Sequence, residues 1–379
     1  MKESNIKVAQ RIAFYIYSLD QGGAERVTSI LANKFVELGI EVTVFVMKAV
    51  SSKSYQIDGR VRVVNISDDI ALKSTKKGIL FNAKRILVLR RSVKLYSPQV
   101  LFTMMVNANV IGTLAMVRSG IPCVISERND PSYDNVEKQW KTLRKFVYGL
   151  NPRVVAQTPR VKDWLMKNTN SSRVIVIPNP LEFPIKDSSP FVPLLKDQGP
   201  MIVAVGRLAA QKQFTHLIEA FSTLSNEFPD WQLAILGEGD ERKLLEKKIS
   251  DYDLEAKINL VGRVGNIGDW YGAASMFVMT SSYEGYPNVL IEAMASGVPV
   301  VSYDCPSGPA EIITDGVNGR LVQANNIEDL ISKMRSVMND FDMAQNMAVS
   351  AKGIRTMLDV NSIALQWLAA ANLRLDTSE

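Results

Sequence analysis

Two glutamates separated by seven residues form the stretch with the clearest potential for chemistry, Glu284-Gly-Tyr-Pro-Asn-Val-Leu-Ile-Glu292. Pro287 suits a first helical position because its missing N–H would be unpaired there, and Gly297 suits the end of a helix. These signals predict a helix over 287–296. Glu284 then lies in the loop ahead of the helix N-terminus, and Glu292 lies about one and a half turns inside the helix.

The start of such a helix is suited to an anion, because its first N–H groups are unpaired and the helix dipole is positive there. The amides could bind a phosphate while the two carboxylates accept hydrogen bonds from a polyol. On spacing alone a simpler interpretation is favoured, in which Glu284 complements the helix dipole and Glu292 is a solvated helix residue. The rest of the chain has to decide between the two.

Two cations, Arg207 and Lys212, flank a loop between a predicted strand at 201–205 and a helix that begins near Phe214. Arginine can fork onto two phosphate oxygens and lysine acts as a point charge, so the pair suits a diphosphate. A solvated loop explains the two side chains equally well. His216, the single histidine, lies in no motif and is interpreted as an ordinary helix residue.

The elements that position these residues begin with an apolar strand near the N-terminus and the turn Gly22-Gly23. A helical pattern over 24–38 and a strand over 41–46 follow, which is a βαβ unit and predicts a parallel sheet with right-handed connections. Glycines let the backbone approach a ligand at the carboxyl end of a strand. The dinucleotide fingerprint G-x-G-x-x-G is absent, and a Gly-Gly turn is often only a turn.

The second half of the chain restarts this alternation of strands and helices. Predicted strands at 201–205, 231–236, 257–261 and 274–279 each run into glycine or a polar loop. A cluster of prolines marks the boundary between the halves: Pro178, Pro180, Pro184, Pro190 and Pro193. We therefore predict an N-terminal domain over 1–182, a linker over 183–199 and a C-terminal domain over 200–359, with a last helix at about 360–379 that could pack back on the first domain.

Length and composition support two soluble domains, since 379 residues exceed one ordinary core and 46% are hydrophobic against 22% charged. A net charge of +5 and a pI near 9.0 suggest affinity for something anionic. Only Cys123, Cys305 and His216 could supply thiol or imidazole groups, so a zinc site, a disulfide framework and a histidine-dependent triad are disfavoured. The positive charge has no interleaved stacking aromatics, which gives nucleic-acid binding little support.

The most basic region, from Lys73 to Lys94, has apolar residues between its cations and no acidic residue, which predicts an amphipathic helix. Such a surface could lie on an anionic membrane, and a solvated helix face is as good an explanation. A second cluster could extend the same face: Lys138, Lys141, Arg144 and Lys145 with Trp140 and Phe146. The uncharged run at 95–117 is long enough for a bilayer, but its polar residues favour a strand followed by a helix. We expect a cytoplasmic protein, peripheral on the inner face of the cell membrane, with no signal peptide.

Together these residues resemble the retaining nucleotide-sugar glycosyltransferases of family four. The resemblance covers nearly the whole chain and rests on five motifs: Gly22-Gly-Ala-Glu-Arg26, Ser126-Glu-Arg-Asn-Asp-Pro131, Val205-Gly-Arg-Leu208 with Lys212, Glu284-Gly-Tyr-Pro-Asn-Val-Leu-Ile-Glu292, and Cys305-Pro-Ser-Gly-Pro-Ala-Glu-Ile-Ile313. It implies the GT-B architecture, an α/β fold of two Rossmann-like, doubly wound parallel-sheet domains that face each other across a cleft.

The resemblance also implies roles for individual residues. Glu292 would accept hydrogen bonds from the nucleotide ribose and Glu284 from the donor sugar, while Arg207 and Lys212 would neutralise the leaving diphosphate. The other implied contacts with the donor come from Gly22, Gly23, Arg263, Gly285, Tyr286, Pro287 and Asn288. No metal or other cofactor is needed, because the cations and a helix dipole replace a divalent ion.

One departure concerns Ser126-Glu127-Arg128, which follows a predicted strand where many family members have a histidine that touches the donor sugar. This version resembles the subgroup that assembles bacterial surface glycans on polyprenyl diphosphate, so Glu127 and Arg128 are assigned to the sugar or acceptor. The expected reaction moves a hexose or N-acetylhexosamine from a UDP-sugar to a lipid-linked saccharide. Two alternatives remain, a sugar-nucleotide epimerase of the same fold and a catalytically silent nucleotide-sugar-binding subunit.

Overall fold

The computed structural model describes residues 10–20, 22–51, 54–70, 78–134, 136–151, 153–195 and 199–375. The chain divides into two compact units, one formed by Met1–Pro180 with Val360–Glu379 and the other by Leu181–Asp359. Residues 183–195, within the predicted linker, belong to the second unit. There Ile185, Val192 and Leu195 pack against its core, and the Val192 N–H donates to Oδ1 of Asn266 at 2.9 Å.

Within the described residues the first unit holds a seven-stranded sheet in the order β3-β2-β1-β4-β5-β6-β7. The strands are β1 (Arg11–Ile16), β2 (Glu41–Val46), β3 (Arg62–Asn65), β4 (Val100–Met104), β5 (Cys123–Ser126), β6 (Arg153–Ala156) and β7 (Val174–Val176). All six pairings are parallel. Strands β2 and β4 are buried on both faces over nearly their whole length, as expected of a parallel sheet covered by helices.

Helices cover both faces of this sheet: α1 (Gly23–Glu37), α2 (Ile79–Tyr96), α3 (Val106–Met116), α4 (Lys138–Val147) and α5 (Pro159–Asn168). Helix α1 contributes to one core, and α2 to α5 contribute to the core on the other side of the sheet. The uncharged run at 95–117 is therefore a strand followed by a helix, as predicted. No helix in the described part of the chain is both long and apolar enough to cross a membrane.

The predicted basic helix exists as α2, although Lys73, Lys76 and Lys77 lie outside the described residues. Two of its cations, Arg85 and Arg90, bind other parts of the first unit, so the prediction that all cations of this stretch lie on one exposed face is wrong. Arg85 is buried and donates to the Tyr15 hydroxyl at 2.8 Å. Arg90 donates from Nε to the Ala115 carbonyl at 2.6 Å and therefore binds the end of α3.

The second unit has a six-stranded sheet across its described residues, in the order β10-β9-β8-β11-β12-β13. The strands are β8 (Met201–Val205), β9 (Gln232–Leu236), β10 (Ile258–Gly262), β11 (Met276–Met279), β12 (Val300–Asp304) and β13 (Arg320–Gln323), all paired in parallel. The helices are α6 (Phe214–Glu227), α7 (Arg242–Asp251), α8 (Ile267–Ala273), α9 (Asn288–Ser296), α10 (Pro309–Ile312), α11 (Ile327–Asn339), α12 (Phe341–Ala351) and α13 (Ile354–Met357). Both units are thus doubly wound α/β domains, as the sequence predicted.

The last helix, α14 (Val360–Ala370), belongs to the first unit, where it packs against α1. Trp367 is fully buried there and meets the Phe102 ring edge-on at 5.3 Å between centroids. The C-terminal residues therefore complete the core of a domain that is otherwise built from the first half of the chain.

In each sheet the order of the strands reverses direction at one point, which is where open α/β sheets bind their ligands, outside the carboxyl ends of the strands. In the first unit that point lies between β1 and β4, and in the second between β8 and β11. The loops that follow β8 and β11 hold the cations and the glutamates singled out from the sequence.

Candidate active site

The centre of the site is an ion pair between Lys212 and Glu284, whose Nζ and Oε1 atoms are 2.5 Å apart. Lys212 ends a short helical turn after β8, and Glu284 lies in the loop between β11 and α9. Their side chains are 17% and 12% exposed, so the pair is largely shielded but open to solvent on one side. Glu284 therefore does more than complement the dipole of α9, because it holds a specific cation.

Several hydrogen bonds tie the two loops together. The Thr280 hydroxyl donates to the Lys212 carbonyl at 2.8 Å, and Nε2 of Gln211 donates to the Tyr283 carbonyl at 2.8 Å. The Ser282 N–H donates to the Gln211 carbonyl, also at 2.8 Å. The relative position of the Lys212 ammonium and the Glu284 carboxylate is thus fixed by backbone contacts as well as by their own attraction.

Glycines keep the loops close together at two points. A Cβ at Gly206 would lie 3.1 Å from Cε of Lys212, so the lysine stem runs directly over this residue. Gly308 has a φ of +107°, and a Cβ there would lie 2.5 Å from Cδ of Pro287. A side chain at 308 would therefore strain the backbone and push against the loop that carries Glu284.

Helix α9 begins at Asn288, one residue later than predicted. Pro287 is the N-cap residue rather than the first helical residue, because its backbone is extended, with φ −78° and ψ 96°. Gly297 ends the helix in the left-handed conformation at φ +77°, as predicted. The N–H groups at the start of α9 follow directly after Gly285 and Tyr286, which are both buried.

Glu292 is 3% exposed, so the interpretation of it as a solvated helix residue is wrong. Its Oε2 accepts a hydrogen bond from the Tyr271 hydroxyl at 3.4 Å. A carboxylate this deeply buried is costly unless donors reach it. Glu292 is therefore a buried, hydrogen-bonded carboxylate of α9.

The remaining residues of the second unit lie on the same carboxyl edge of the sheet. Arg207 is exposed in the loop after β8, and Arg263 is half-buried directly after β10. Nε of Arg263 is buried without a partner in the described structure. His216 lies on α6, where its Nδ1 is 3.1 Å from the Tyr303 hydroxyl, in agreement with an ordinary helix residue.

The buried thiol of Cys305 lies close to this centre. Burial raises its pKa, the negative charge of Glu284 adds to the rise, and Lys212 opposes it. The thiol is therefore protonated near neutral pH and is not a nucleophile. Across the described residues, no group of three or more His, Cys, Asp or Glu side chains is placed to hold a metal ion.

In the first unit, Gly22 is the N-cap residue of α1 and Gly23 is its first residue, and this helix follows β1, one of the two strands between which the strand order reverses. The Glu25 carboxylate folds over Gly22, so a Cβ at Gly22 would lie only 2.2 Å from Oε2 of Glu25. Burial raises the pKa of Glu25. A partly buried carboxyl group therefore lies over the glycine at the start of α1, and no pattern in the sequence indicated it.

Glu127 and Arg128 follow β5 directly, but their surroundings differ. Oε2 of Glu127 accepts a hydrogen bond from the Tyr148 hydroxyl at 2.9 Å and lies 3.7 Å from Nη1 of Arg144. Glu127 is 2% exposed, and burial raises its pKa to about 7 although Arg144 opposes this. The carboxylate is thus used inside the domain, so direct contact of Glu127 with a ligand is not supported.

Arg128 is associated with two polar residues that the sequence analysis missed, Gln157 and Asn179. Oδ1 of Asn179 accepts hydrogen bonds from Nη2 of Arg128 and, at 2.7 Å, from Nε2 of Gln157. Gln157 directly follows β6, and Asn179 lies three residues after β7. The signal that could have found them is a polar residue at the end of each successive strand.

Both halves of the chain match protein-family models. Residues 21–182 match the model described as Glycosyltransferase Family 4, and residues 185–353 match Glycosyl transferases group 1. The amylovoran biosynthesis glycosyltransferase AmsD of Erwinia amylovora is 28% identical over 335 residues, which cover 88% of this chain and 91% of AmsD.

A second relative comes from Campylobacter jejuni, the N-acetylgalactosamine-N,N'-diacetylbacillosaminyl-diphospho-undecaprenol 4-alpha-N-acetylgalactosaminyltransferase. It is 29% identical over 349 residues, covering 87% of this chain and 91% of the relative. Among solved structures, Anabaena HepE in complex with UDP and glucose superposes with a TM-score of 0.76 at 19% identity, covering 96% of this chain and 99% of HepE.

Two doubly wound domains, a cation–glutamate centre at a strand-order reversal and these matches define the class. The chain is a glycosyltransferase of the GT-B fold, with a family 4 domain followed by a group 1 domain.

Proposed function

We propose that this glycosyltransferase moves a hexose or N-acetylhexosamine from a UDP-sugar to a polyprenyl-diphosphate-linked saccharide in bacterial surface-glycan assembly, with retention of the anomeric configuration. The observation that carries the proposal is the shielded Lys212–Glu284 pair ahead of α9, with the buried Glu292 inside the same helix. This places a cation for phosphate beside a carboxylate for hydroxyl groups.

In the proposed donor complex, the Lys212 ammonium and the exposed Arg207 guanidinium bind the diphosphate. The N–H groups at the start of α9 add donors for the sugar and the phosphates, because that helix end is positive. Glu284 accepts a hydroxyl of the donor sugar and Glu292 accepts from the ribose. Fixed charges of this kind stabilise a leaving diphosphate without a divalent ion.

For the bond-making step we propose attack on the face from which the diphosphate departs. The bond from the anomeric carbon to the diphosphate oxygen breaks, and a bond from the same carbon to the acceptor oxygen forms on that face. The acceptor proton passes to an oxygen of the departing diphosphate. Arg207 and Lys212 support this step because the charge that they neutralise grows as the leaving bond lengthens.

The choice of substrates is supported by the similar proteins. HepE was crystallised with UDP and glucose, which supports a UDP-sugar donor. The Campylobacter jejuni relative is named for an acceptor on diphospho-undecaprenol and for transfer of N-acetylgalactosamine. Polysaccharide assembly is supported by the role of AmsD in amylovoran biosynthesis.

The reaction can be tested by supplying a UDP-sugar and a lipid-linked saccharide, then determining the anomeric configuration of the product by NMR. We expect retention, and we expect Glu284→Ala and Arg207→Ala to abolish transfer without unfolding the protein. Lys247→Ala, which changes an exposed cation on α7, is the matched control and should keep full activity. An inverted product, or full activity in either site variant, would refute the proposal.

We also propose that the protein is peripheral on the inner face of the membrane, through the surface of α2 and α4. On α2, Leu87 and Leu95 are 53% and 78% exposed beside the exposed cations Arg91 and Lys94. Apolar side chains next to basic ones are the combination that binds an anionic lipid surface.

Helix α4 continues the pattern, since Leu143, Phe146 and, just beyond the helix, Leu150 are 39%, 57% and 62% exposed. The exposed lysines Lys138, Lys141 and Lys145 lie on the same helix. Helices α2 and α4 lie on either side of α3, on one face of the sheet. Arg144, in contrast, is buried and pairs with Asp134, so it is excluded from this surface.

Vesicle sedimentation with anionic lipids tests this surface. Each basic residue near a membrane contributes about 1 kcal/mol, so reversing Arg91 and Lys94 to Glu should weaken binding at least about 30-fold. The control reverses the exposed Lys243 and Lys247 on α7, which changes the net charge equally. Equal binding of both double variants would remove the proposal. Arg90 is left intact because its loss would disturb the end of α3.

A further inference from the structure

Arg128 is a buried cation without a counterion. It is 5% exposed, and among the described residues no carboxylate lies within ion-pair distance of its guanidinium. Nη1 donates to the Ser126 hydroxyl at 3.3 Å, Nη2 donates to Oδ1 of Asn179, and Nε has no partner. Arg144, a second buried arginine of this unit, pairs with both Asp134 and Glu127, whereas a third, Arg85, donates to Tyr15 and Asn82.

The amides beside Arg128 have a defined orientation. Because the guanidinium can only donate, Asn179 must direct its oxygen toward Nη2, and Gln157 must then direct its NH₂ group toward that same oxygen. Oε1 of Gln157 is left buried without a donor in the part of the chain that the structure describes. Gln157 and Asn179 are 3% and 2% exposed.

The three side chains come from the ends of three neighbouring strands. Arg128 follows β5, Gln157 follows β6 and Asn179 follows β7, and these strands are adjacent in the sheet. Their carboxyl ends form the edge at which an open α/β sheet binds ligands. The cluster therefore holds one unused charged donor and one unused acceptor, both buried, at the carboxyl ends of these strands.

We propose that Arg128, Gln157 and Asn179 bind the saccharide acceptor at its diphosphate. The Arg128 guanidinium takes a phosphate oxygen through the free Nε–H, and Oε1 of Gln157 accepts a hydroxyl of the sugar attached to that phosphate. Asn179 is a positioning residue that holds both side chains in register. The proposal rests on the function proposed above and adds the chemical group by which the first domain recognises its acceptor.

A buried charge without a carboxylate partner is unfavourable. Arg85 shows that hydroxyl and amide oxygens alone can hold a buried arginine of this unit. What distinguishes Arg128 is its position at the carboxyl ends of the strands, beside the unsatisfied Oε1 of Gln157. Burial lowers the pKa of Arg128 to about 9, while Glu127 partly opposes this, so the guanidinium is still charged at neutral pH. Binding of an oxyanion removes the imbalance. Gln157 leads to the same conclusion independently, since an unsatisfied buried acceptor is unfavourable until a donor arrives.

The test measures equilibrium binding to the full-length protein by calorimetry with three probes. They are farnesyl-diphosphate N-acetylglucosamine, the same sugar on an octyl chain without phosphate, and UDP. Loss of a hydrogen bond to a charged group predicts that Arg128→Gln weakens the diphosphate probe at least about tenfold. The octyl glycoside and UDP should change less than about twofold, a difference that a merely structural role would not produce.

A second variant keeps the test decisive if Arg128→Gln fails to fold. Asn179→Asp keeps the acceptor for Arg128 and supplies the missing negative charge. It should raise the thermal unfolding temperature of the free protein and should weaken the diphosphate probe at least about tenfold, because the guanidinium is neutralised internally. An unchanged affinity for this probe in Asn179→Asp, with Arg128→Gln unfolded or also unchanged, overturns the proposal.

The remaining outcomes are also decisive. Weaker binding of UDP with unchanged binding of the diphosphate saccharide would assign the oxyanion to the donor and overturn the acceptor assignment. A change in unfolding temperature alone, with all three affinities unchanged, would make Arg128 structural. If the wild-type protein binds the diphosphate saccharide and UDP but transfers no sugar, the proposed function is wrong and the proposed site stands. If it transfers sugar and both variants bind normally, the site fails and the function stands.

Discussion

Replacing Glu284 with glutamine should change nucleotide binding and sugar transfer in opposite directions. In the free protein the Glu284 carboxylate holds Lys212, so it competes with any diphosphate for the ammonium group. Glutamine releases the lysine and also weakens the acceptor that the donor sugar needs. UDP, which has no sugar, should therefore bind more tightly to Glu284→Gln, whereas turnover of the UDP-sugar should fall.

The size of the effect follows from the exposure of the pair. Exposed ion pairs contribute up to about 1 kcal/mol, and breaking a buried pair costs about 3–5 kcal/mol. With side chains 17% and 12% exposed, the Lys212–Glu284 pair lies between these limits, at about 1–2 kcal/mol. At about 1.4 kcal/mol for each factor of ten, UDP should bind about 5- to 30-fold more tightly. Loss of a charged hydrogen bond to the sugar should lower kcat/KM by at least about tenfold.

Titration calorimetry with UDP, together with turnover of the UDP-sugar, measures the two effects on the same preparations. Glu238→Gln is the matched control, because it breaks an ion pair of the more exposed Glu238 with Arg242 in the loop after β9. The control should leave both quantities near their wild-type values. Weaker or unchanged UDP binding in Glu284→Gln would show that Lys212 is not the phosphate-binding cation, and the assignment of the pair would be wrong.

Three further predictions concern stability. The pKa of Glu127 is raised from 4.5 to about 7 in the folded protein, so between these pH values the folded state binds a proton that the unfolded state has lost. The free energy of unfolding should therefore fall by roughly 3 kcal/mol as the pH rises from 4.5 to 7. Urea unfolding of Glu127→Gln should show a smaller fall, and an unchanged pH dependence would contradict this prediction. Gly308→Ala should lower both the activity and the unfolding temperature, because the added Cβ pushes against Pro287. Gly39→Ala is the control: its φ is +79° but the space around it is free, so it should lower only the unfolding temperature. Equal activities of the two variants would refute the steric argument. Trp367→Ala should destabilise the first unit by about 3–5 kcal/mol, and a loss below about 1 kcal/mol would mean that α14 is not part of its core.

The elements set by local patterns could be predicted from the sequence. Strand β2 has the predicted bounds, and α1 spans Gly23–Glu37 where 24–38 was expected. Alternating strands and helices with glycine-bearing loops also predicted two doubly wound sheets. Pro287 was misplaced by one residue because proline favours the first helical position, whereas here it is the N-cap, a difference within the usual uncertainty of a helix boundary.

The pairing of site residues could not be predicted, because the partners are distant in sequence. Lys212 and Glu284 are 72 residues apart, and Arg128 and Asn179 are 51 apart. Each motif suggested a ligand for its own residues, but it did not show which side chain of another motif each residue would contact. Glu127 shows the consequence, since it shares a motif with Arg128 and yet is bound to Tyr148 inside the domain.

The basic stretch shows a second limit of reasoning from composition. A count of positive charges treated every cation of α2 as part of one surface. Arg85 is instead buried against Tyr15, and Arg90 binds carbonyl groups at the end of α3. The long arginine side chain makes such use possible, because its five donors can satisfy backbone and hydroxyl oxygens at a distance from its own helix.

In the proposed reaction, the pair of Lys212 and Glu284 serves transfer of a sugar from a UDP-sugar to a lipid-linked acceptor. The most direct measurement is UDP release from a panel of UDP-sugars, with and without a bacterial lipid extract, by wild-type protein and Glu284→Ala. We predict that one donor gives release that depends on the extract and is lost in the variant. Isomerised nucleotide formed without the extract, or tight UDP binding with no extract-dependent release from any donor, would contradict this role of the pair.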